Sequence, residues 1–252
     1  LDLLVTLKDE RAQNKSGRIY LDNIADTYHI PLLKINHINE PEVIKEIKDR
    51  EIDWLFIIGW SQIAKSEVLY APKKGCIGMH PTLLPKGRGR ASVPWAILKG
   101  LDKTGVTMFK LDEGVDTGDI LGQIEIPLHE KITATELYEE VNQTHIRLIE
   151  KYWSDIITDD LVMSKQDEAL ATVWVGRKPE DGVLCGDMTM EEADRLVRAV
   201  THPYPGAYYY EDNKKVTVWS ADVSETPQKN NFKLRDGYLN LKEYEIESRI
   251  WM

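Results

Sequence analysis

The sequence of 252 residues predicts an α/β fold: a Rossmann-like, mostly parallel sheet with helices on both faces, followed by a small C-terminal α+β module. Short apolar runs alternate with helical patterns through the first half, which is typical of such a sheet. The run Trp54–Ile58 is apolar at every position and predicts a central strand covered on both faces. Beyond a polar stretch, one helical pattern is followed by strand patterns, which predicts the separate module.

The first half begins with Leu3–Leu7, a short apolar run that predicts a buried strand. Ile19–His29 then has apolar residues at helical spacing, and Pro31 marks its end. The other elements up to residue 98 are predicted in the same way, as strands at Leu32–Ile35 and Cys76–Met79 and helices at Pro41–Arg50 and Pro94–Leu98.

Two β-rich segments follow, Thr104–Leu111 and Ile120–Pro127, and we interpret them as strands that flank a functional loop. The capping box formed by Thr133 and Glu136 then predicts a long helix that ends near Ile156.

These patterns divide the chain into a first domain at 1–160, a polar linker at 161–173 and a small second domain at 174–252. In the second domain, another capping box predicts a helix at Thr189–Val200, and a turn rich in Pro and Gly is expected at Pro203–Gly206. Two strands are expected at Val216–Trp219 and Tyr238–Ile246.

The composition restricts the partners. With 32 Lys and Arg against 42 Asp and Glu, the net charge is −10, which disfavours nucleic acid because a nucleic-acid-binding surface must neutralise phosphates. The longest apolar run is far shorter than the roughly 20 residues that cross a bilayer, and the sequence shows no secretory signal. We therefore expect a cytoplasmic protein without membrane association. Cys76 and Cys185 lack metal-ligand spacing and are expected to be reduced thiols.

The segment Gly78–Arg90 carries the densest set of reactive residues. His80 directly follows a predicted buried strand, at the carboxyl edge of the sheet, where open α/β folds bind ligands. The prolines and glycines that follow predict a fixed loop. In this position the histidine is either catalytic or structural, and the run Gly87–Arg90 is either a phosphate-binding loop or a solvated turn.

The acidic loop Leu111–Asp119 is a second candidate. Its spacing matches no standard calcium loop, and on its own it also fits a solvated turn. A carboxylate of this loop placed against His80 would orient the imidazole, stabilise its charged form and complete an acid/base pair.

Together these motifs resemble the 10-formyltetrahydrofolate-dependent formyltransferases. The segment His80–Pro85, with Arg-Gly-Arg-Ala downstream, is similar to the family's His-Pro-Ser-Leu-Leu-Pro signature. Asp116-Thr117-Gly118 follows His80 by 36 positions, where the family has Asp-Thr-Gly or Asp-Ala-Gly. Arg198–Ala207 is similar to the start of the C-terminal domain of methionyl-tRNA formyltransferase and of the 4-amino-arabinose formyltransferase.

The resemblance implies formyl transfer from 10-formyltetrahydrofolate to an amine, without a metal. His80 and Asp116 would then be the catalytic residues and share the acid/base and orienting roles. The resemblance also assigns the cofactor to two segments, which contain Gln62, Ile63 and Ala64 in one and Asp112, Glu113, Gly114 and Val115 in the other.

Two features depart from the family. Gly78 stands where the family has an Asn that usually donates a hydrogen bond to the developing oxyanion, and loss of one such donor typically costs about 100- to 1000-fold in rate. Either another donor replaces it or the enzyme is slow or inactive. The family also begins with a strand–helix unit before the strand predicted at Leu3–Leu7, and that unit would supply a central strand.

Charge favours a nucleotide-linked amino sugar, carried by UDP or dTDP, as the acceptor. Residues 159–252 contain 12 Lys and Arg against 18 Asp and Glu, whereas a domain that grips tRNA is expected to be basic. Arg88 and Arg90 are then expected at the pyrophosphate, and Trp95 and Tyr204 at the base or sugar, although both aromatic residues suit a core equally well. Such an enzyme would serve polysaccharide biosynthesis, and a homodimer is left open.

Other functions stay open at this point. One is a methionyl-tRNA formyltransferase, and another is a nucleotide-sugar- or folate-binding module in which Gly78 impairs turnover. A hydrolase that hands the formyl group to water is disfavoured by the sugar-enzyme-like tail.

Overall fold

A computed structural model describes residues 1–12 and 18–248 of the chain. Its strands are β1 (Leu4–Leu7), β2 (Leu32–Ile35), β3 (Trp54–Ile57), β4 (Gly75–His80), β5 (Arg88–Gly89), β6 (Lys103–Lys110), β7 (Ile120–Pro127), β8 (Val173–Trp174), β9 (Ala207–Glu211), β10 (Lys214–Ser224), β11 (Asn231–Lys233) and β12 (Tyr238–Ser248). Its helices are α1 (Asp9–Ala12), α2 (Asp22–Tyr28), α3 (Pro41–Asp49), α4 (Ser66–Leu69), α5 (Ser92–Leu98), α6 (Ala134–Thr158) and α7 (Met190–Val200). Two single-turn 3₁₀ helices lie at Glu168–Leu170 and Pro179–Gly182.

The predicted α/β class is confirmed, and the strand pairing shows how the parallel and antiparallel parts join. β1 pairs with β2 and β3 pairs with β4 in parallel, whereas β6 runs antiparallel to both β4 and β7. Parallel strands need a crossover of a dozen or more residues. The loop 111–119 is too short for that, so β6 and β7 form a hairpin.

Strand β4 holds the centre of the sheet β3-β4-β6-β7. All six of its residues are buried, because β3 and β6 cover its edges and helices cover its faces. The strand ends at His80, so the histidine lies at the carboxyl edge of the sheet, as the sequence predicts. The loop that follows contains β5, which pairs in parallel with β8, at the boundary between the predicted linker and the predicted second domain.

Helix α6 packs on β6 and β7 through an apolar face that includes Leu137, Val141 and Leu148. Its predicted capping box is present: the Thr133 hydroxyl accepts from the Glu136 N–H at 3.3 Å, and the Glu136 carboxylate accepts from the Thr133 N–H at 2.8 Å. That backbone N–H, with the Thr133 hydroxyl, holds the pKa of Glu136 below its ordinary value. The long helix therefore starts where the sequence places it.

The C-terminal module is an antiparallel sheet in the order β11-β12-β10-β9, with α7 packed on one face. Helix α7 also packs against α5, and one hydrophobic cluster extends from Ile77 in β4 to Leu239 in β12. The module is therefore joined to the first part of the chain by a shared core. The domain boundaries predicted at residues 160 and 174 stay a prediction.

An apolar cleft of about 510 Å³ lies between β1 and β3 and is lined by residues that include Leu4, Phe56 and Trp60. Within the described ranges, β1–β2 forms its own sheet and does not pair with β3. Among the helices of residues 1–12 and 18–248, none is long and apolar enough to span a membrane.

Replacement of Thr133 by Ala should lower the free energy of unfolding by about 1 kcal/mol, because it leaves the first turn of α6 without its side-chain cap. Urea denaturation followed by circular dichroism measures this change. Ser154→Ala, which removes an exposed hydroxyl about one turn before the C-terminal end of the same helix, is the control and should change stability by less than about 0.5 kcal/mol. Equal losses in the two variants would show that the cap has no special role.

Candidate active site

The side chain of His80 is enclosed by protein, and the residue is only 7% exposed. Its Nε2 lies 2.7 Å from the carbonyl oxygen of Gly87. Because a carbonyl can only accept, Nε2 carries a proton and donates it to that oxygen. In the neutral ring Nδ1 therefore holds a lone pair, and Nδ1 is the atom that faces Asp116.

Asp116 lies in the loop between β6 and β7, and its Oδ2 is 3.6 Å from Nδ1 of His80. This distance is longer than a hydrogen bond, so the two groups are neighbours that do not share a proton directly. The backbone N–H of Gly89 donates to the same Oδ2 at 2.8 Å and fixes the carboxylate. The fold thus brings together the two residues that the sequence singles out for catalysis.

Two unusual backbone positions hold this arrangement. Asp116 adopts a left-handed conformation with φ +55°, which non-glycine residues rarely adopt. Gly89 has φ +106°, and a Cβ there would collide with the carbonyl oxygen of Trp174 in β8. Only glycine therefore fits at the position whose N–H binds Asp116.

The His80–Asp116 pair has the equipment for acid/base chemistry. The imidazole offers one fixed N–H and one titratable nitrogen, and the carboxylate beside it can stabilise the ring when it is charged. Such a pair can accept a proton from an attacking nucleophile and return it to a leaving group. In the part of the chain that the structure describes, no three His, Cys, Asp or Glu side chains are grouped to hold a metal ion.

Gly78 lies two residues before His80 in β4 and therefore faces the same side of the strand. A Cβ at this position would lie 2.6 Å from Cδ2 and 3.1 Å from Cγ of Leu111. Leu111 thus occupies the space into which an Asn at position 78 would project. An Asn at position 78 would therefore require the Leu111 side chain to move.

The two segments that the sequence assigns to the cofactor are linked in space. Ser66, just after Gln62–Ala64, donates its hydroxyl to the Glu113 carboxylate at 2.8 Å. The Gln62 amide is fixed at both ends: its Oε1 accepts from the Ile38 N–H at 2.9 Å, and its Nε2 donates to the Asn36 carbonyl at 2.9 Å. Its side chain therefore supports the segment and leaves binding to neighbouring groups.

The second segment closes on itself at Asp112. The Oδ1 of Asp112 accepts from the Gly114 N–H at 3.1 Å and from the Thr117 hydroxyl at 2.6 Å. Ile63 and Val115 remain 76% and 59% exposed. Exposed apolar side chains beside loop peptide groups suit a flat heteroaromatic ring with polar edges, so the residues present fit a pterin.

Arg88 is 5% exposed, and its guanidinium binds other protein groups. It reaches Glu168 at 2.6 and 2.9 Å and the Gln166 amide oxygen at 2.7 and 3.1 Å. The Glu168 carboxylate raises the pKa of Arg88, and Arg88 lowers the pKa of Glu168. Arg88 therefore cross-links the loop after β4 to the predicted linker. This differs from the contact with a pyrophosphate that the sequence analysis expected.

Arg90 and Trp95, by contrast, lie in a cluster of cations and indole rings, which we call the cation–indole cluster. It comprises Arg90, Trp95, Lys99, Trp174 and Arg177. The Lys99 ammonium is 5.4 Å from the Trp95 ring and 5.9 Å from the Trp174 ring, and the Arg177 guanidinium is 5.1 Å from the Trp95 ring. Arg90 extends past Gly176. Since Trp174 pairs with Gly89, whose N–H binds Asp116, the cluster lies beside the catalytic pair.

Tyr204 and Cys76 are placed in the interior. The Tyr204 ring meets the Tyr138 ring edge-on at 6.5 Å, and burial together with Tyr138 raises its pKa. The structure therefore favours the core alternative that the sequence leaves open for Tyr204. Burial also raises the pKa of the Cys76 thiol to about 12, so this thiol stays protonated. Both cysteines are free, with Cys76 buried and Cys185 exposed.

Sequence reasoning did not find Lys99, Trp174, Arg177 or Gln166. Lys99 directly follows the helix predicted at Pro94–Leu98, and the other three lie in a segment interpreted as linker or tail. Their surroundings contain no motif, and most of their contacts join residues that are far apart in the sequence.

Comparison with known proteins identifies the class. A family model described as formyl transferase matches residues 6–151, and one described as the formyl transferase C-terminal domain matches residues 177–245. The chain belongs to the formyl transferase family. The predicted enzyme class is therefore confirmed.

Curated relatives of this formyl transferase include two methionyl-tRNA formyltransferases. The one from Lachnospira eligens is 26% identical over 97% of this chain and 84% of its own length. The one from Citrifermentans bemidjiense is 34% identical over 80% of this chain, but the match spans only 63% of that protein.

Solved structures show the same fold. A methionyl-tRNA formyltransferase from Clostridium thermocellum matches with a TM-score of 0.67 and 21% identity, over 98% of this chain and 99% of its own. WlaRD, a sugar 3N-formyl transferase solved in the presence of dTDP and 5-N-formyl-THF, matches with a TM-score of 0.68 and 18% identity, over 98% of this chain and 88% of its own. The fold is thus shared by enzymes of both kinds and does not choose between them.

Asp116→Asn should lower kcat of this formyl transferase by about 100-fold or more, because acid–base groups typically contribute 10²- to 10⁴-fold. Folding should survive, since Asn keeps an oxygen for the Gly89 N–H. Steady-state kinetics measures the effect. Asp119→Asn, in the same loop with an exposed Lys165 partner, is the matched control and should stay within about twofold. An equal loss in both variants would contradict the role of Asp116.

The double variant Gly78→Asn/Leu111→Ala should raise kcat, by up to about 100-fold, if an oxyanion donor is what the wild type lacks. Gly78→Asn alone should gain less and lose stability, because its Cβ collides with Leu111. Rapid-quench kinetics and thermal unfolding of both variants, with Leu111→Ala as control, measure these effects. A double variant that folds normally yet shows no gain would mean that another group already serves the oxyanion.

Proposed function

We propose that this chain transfers a formyl group from 10-formyltetrahydrofolate to the amine of a nucleotide-linked amino sugar, on UDP or dTDP. The observation that carries the proposal is the cation–indole cluster beside His80 and Asp116. Indole rings can stack on a base or sugar, and the adjacent cations can bind a pyrophosphate. The cluster is local, so it fits one diphosphate better than a long phosphodiester backbone.

The charge of the C-terminal module supports the same choice. Strand β12 presents the exposed carboxylates Glu243, Glu245 and Glu247, and β9 ends at the exposed Glu211. A surface with these groups would repel the phosphates of a tRNA. The module therefore suits a role in support of the first domain, in an enzyme of polysaccharide biosynthesis. It does not suit a role in gripping RNA.

The cofactor is expected against the segments Gln62–Ala64 and Asp112–Val115, which the Ser66–Glu113 hydrogen bond holds together. When bound, 10-formyltetrahydrofolate supplies an activated formyl carbon. Support comes from the exposed apolar side chains of these segments, and from WlaRD, which was solved in the presence of a formyl-THF.

The chain's own residues move the protons. An amine that attacks the formyl carbon gains positive charge and must lose a proton, and Nδ1 of neutral His80 or the Asp116 carboxylate accepts it. The Gly87 carbonyl keeps the ring in the tautomer that leaves Nδ1 free. The proton held on His80 is then available to the leaving nitrogen. Asp116 stabilises the charged ring between these two events.

Methionyl-tRNA formyltransferase is the second candidate, and one observation favours it. The curated relatives that match this chain at 26% and 34% identity carry that name. A folate- or nucleotide-sugar-binding module without turnover is the remaining candidate, because Gly78 stands where the family has its usual oxyanion donor.

An activity assay with UDP- and dTDP-linked amino sugars, next to methionyl-tRNA, separates these candidates. We expect transfer to a nucleotide sugar and a higher melting temperature with UDP or dTDP, because a ligand that binds only the folded state stabilises it. Transfer to methionyl-tRNA alone would establish the second candidate. Stabilisation by a nucleotide without transfer to any acceptor would establish the binding module.

Variants Lys99→Met and Arg177→Met should each raise KM for the nucleotide sugar about 10-fold with kcat nearly unchanged, because each removes one charged contact to the diphosphate and keeps an unbranched side chain. Lys242→Met, at an exposed ion pair with Asp222 on the C-terminal sheet, is the control. If the KM values of all three variants match the wild type, the cation–indole cluster is not the acceptor site.

A further inference from the structure

The segment 164–168, predicted as part of a polar linker, lies along the loop 111–119, which carries Asp116. Ser164 and Ile120 exchange both backbone hydrogen bonds, at 2.8 and 2.9 Å, where β7 begins. This pairing places the segment at the exit of the loop that carries Asp116. Gln166 follows two residues later and is only partly exposed.

The Gln166 amide nitrogen binds the loop 111–119. Nε2 lies 2.8 Å from the carbonyl oxygen of Asp116 and 2.8 Å from that of Gly118. Both carbonyls can only accept, so the NH₂ group must face them and donates one hydrogen to each. Gln166 therefore spans the left-handed turn at Asp116, where the backbone adopts φ +55°.

The other end of the same amide binds Arg88. Oε1 of Gln166 accepts from Nη2 of Arg88 at 2.7 Å and from Nε at 3.1 Å. A guanidinium can only donate, which fixes the orientation of the amide a second time. The largely exposed Glu168 completes this anchor, and its two carboxylate oxygens accept from the buried Arg88 at 2.6 and 2.9 Å.

The neighbours of Arg88 contact both members of the catalytic pair. The carbonyl of Gly87 accepts from Nε2 of His80, and the N–H of Gly89 donates to Oδ2 of Asp116. An anchor on Arg88 therefore fixes the backbone on which the His80 tautomer and the Asp116 carboxylate depend. Gln166 joins that anchor to the Asp116 backbone.

We propose that Gln166 is a positioning residue for formyl transfer: its amide fork, held by Arg88, keeps the Asp116 carboxylate beside Nδ1 of His80. This proposal rests on the acid/base roles proposed for His80 and Asp116. Gln166 lies in the segment that connects the first domain to the C-terminal module. It requires a group with two donors and one acceptor at this position, which Asn is too short to reproduce and Glu or Met cannot supply.

Two nearly isosteric variants test the two halves of the amide. Gln166→Glu keeps the acceptor for Arg88 but removes both donors to the loop, and Gln166→Met removes donors and acceptor together. We expect kcat to fall at least about 10-fold in both, with KM for donor and acceptor within about threefold, because a small misplacement of a reacting group lowers the rate and leaves binding intact. Lys165→Met, the adjacent residue with an exposed ion pair to Asp119, is the matched control and should keep wild-type kcat.

The ring ¹⁵N signals of His80, recorded by NMR at one fixed pH, give a readout that needs no acceptor substrate. In Gln166→Met these signals should move from their wild-type positions, because the Asp116 carboxylate is no longer held 3.6 Å from Nδ1. Comparison with His80→Asn assigns the signal. If the nucleotide sugar is the wrong acceptor, the wild type shows no turnover and the kinetic experiment fails. The NMR experiment still tests the positioning role, because it needs no acceptor.

The proposal is overturned if Gln166→Glu and Gln166→Met keep wild-type kcat and if the ring signals of His80 keep their wild-type positions. It is also overturned if the loss of activity equals the loss of folded protein measured by thermal unfolding, since Gln166 would then only support the fold. Lys165→Met with losses as large as those of the Gln166 variants would likewise assign the effect to the segment as a whole and not to the amide.

Discussion

Two hydrogen bonds on either side of Arg88 hold the site together. The Gly87 carbonyl accepts from His80, and the Gly89 N–H donates to Asp116. Both require the loop after β4 to return along the end of its own strand, and this return is possible because Arg88 is buried against Glu168. A neutral residue at position 88 would leave Glu168 without its partner, whereas an unpaired arginine would leave a charge in a nearly dry position. The sheet, the loop and the linker thus meet at one residue.

The segment interpreted as a linker contacts the loops that carry Arg88 and Asp116. Its composition is polar, and sequence patterns assign such a stretch to solvent because they report local preferences only. In the structure, β8 pairs with β5, and Gln166 crosses to the loop 116–118. These partners are separated by about 50 to 85 positions in sequence, so no local pattern could show them. The same reason hides Lys99, Trp174 and Arg177, which become a cluster only when α5 and β8 are brought side by side.

Fold and substrate are separate questions in this protein. Enzymes named for tRNA and for sugar acceptors match the chain with nearly equal TM-scores, 0.67 and 0.68, so the architecture serves either acceptor. Charge and local geometry carry the choice instead. An acidic C-terminal sheet and a compact set of cations beside the catalytic pair favour a small diphosphate ligand, while the names of the curated relatives favour tRNA. The packed pair Gly78 and Leu111 is a third constraint, since Leu111 fills the space that a side chain at position 78 would need.

The sequence by itself determined the α/β class, the position of His80 at the end of a buried strand, the loop that carries Asp116 and both capping boxes. Each of these is encoded over a few neighbouring residues, through periodicity, turn chemistry or a family motif. The tertiary structure alone decided that Arg88 is a cross-link, that Tyr204 packs on Tyr138 and that Gln166 spans the catalytic turn. It also added β5, β8, β9 and β11, which the sequence analysis did not predict and most of which are very short. In these cases the role of a side chain depends on the group it meets across the fold, and that group is fixed only once the elements have packed.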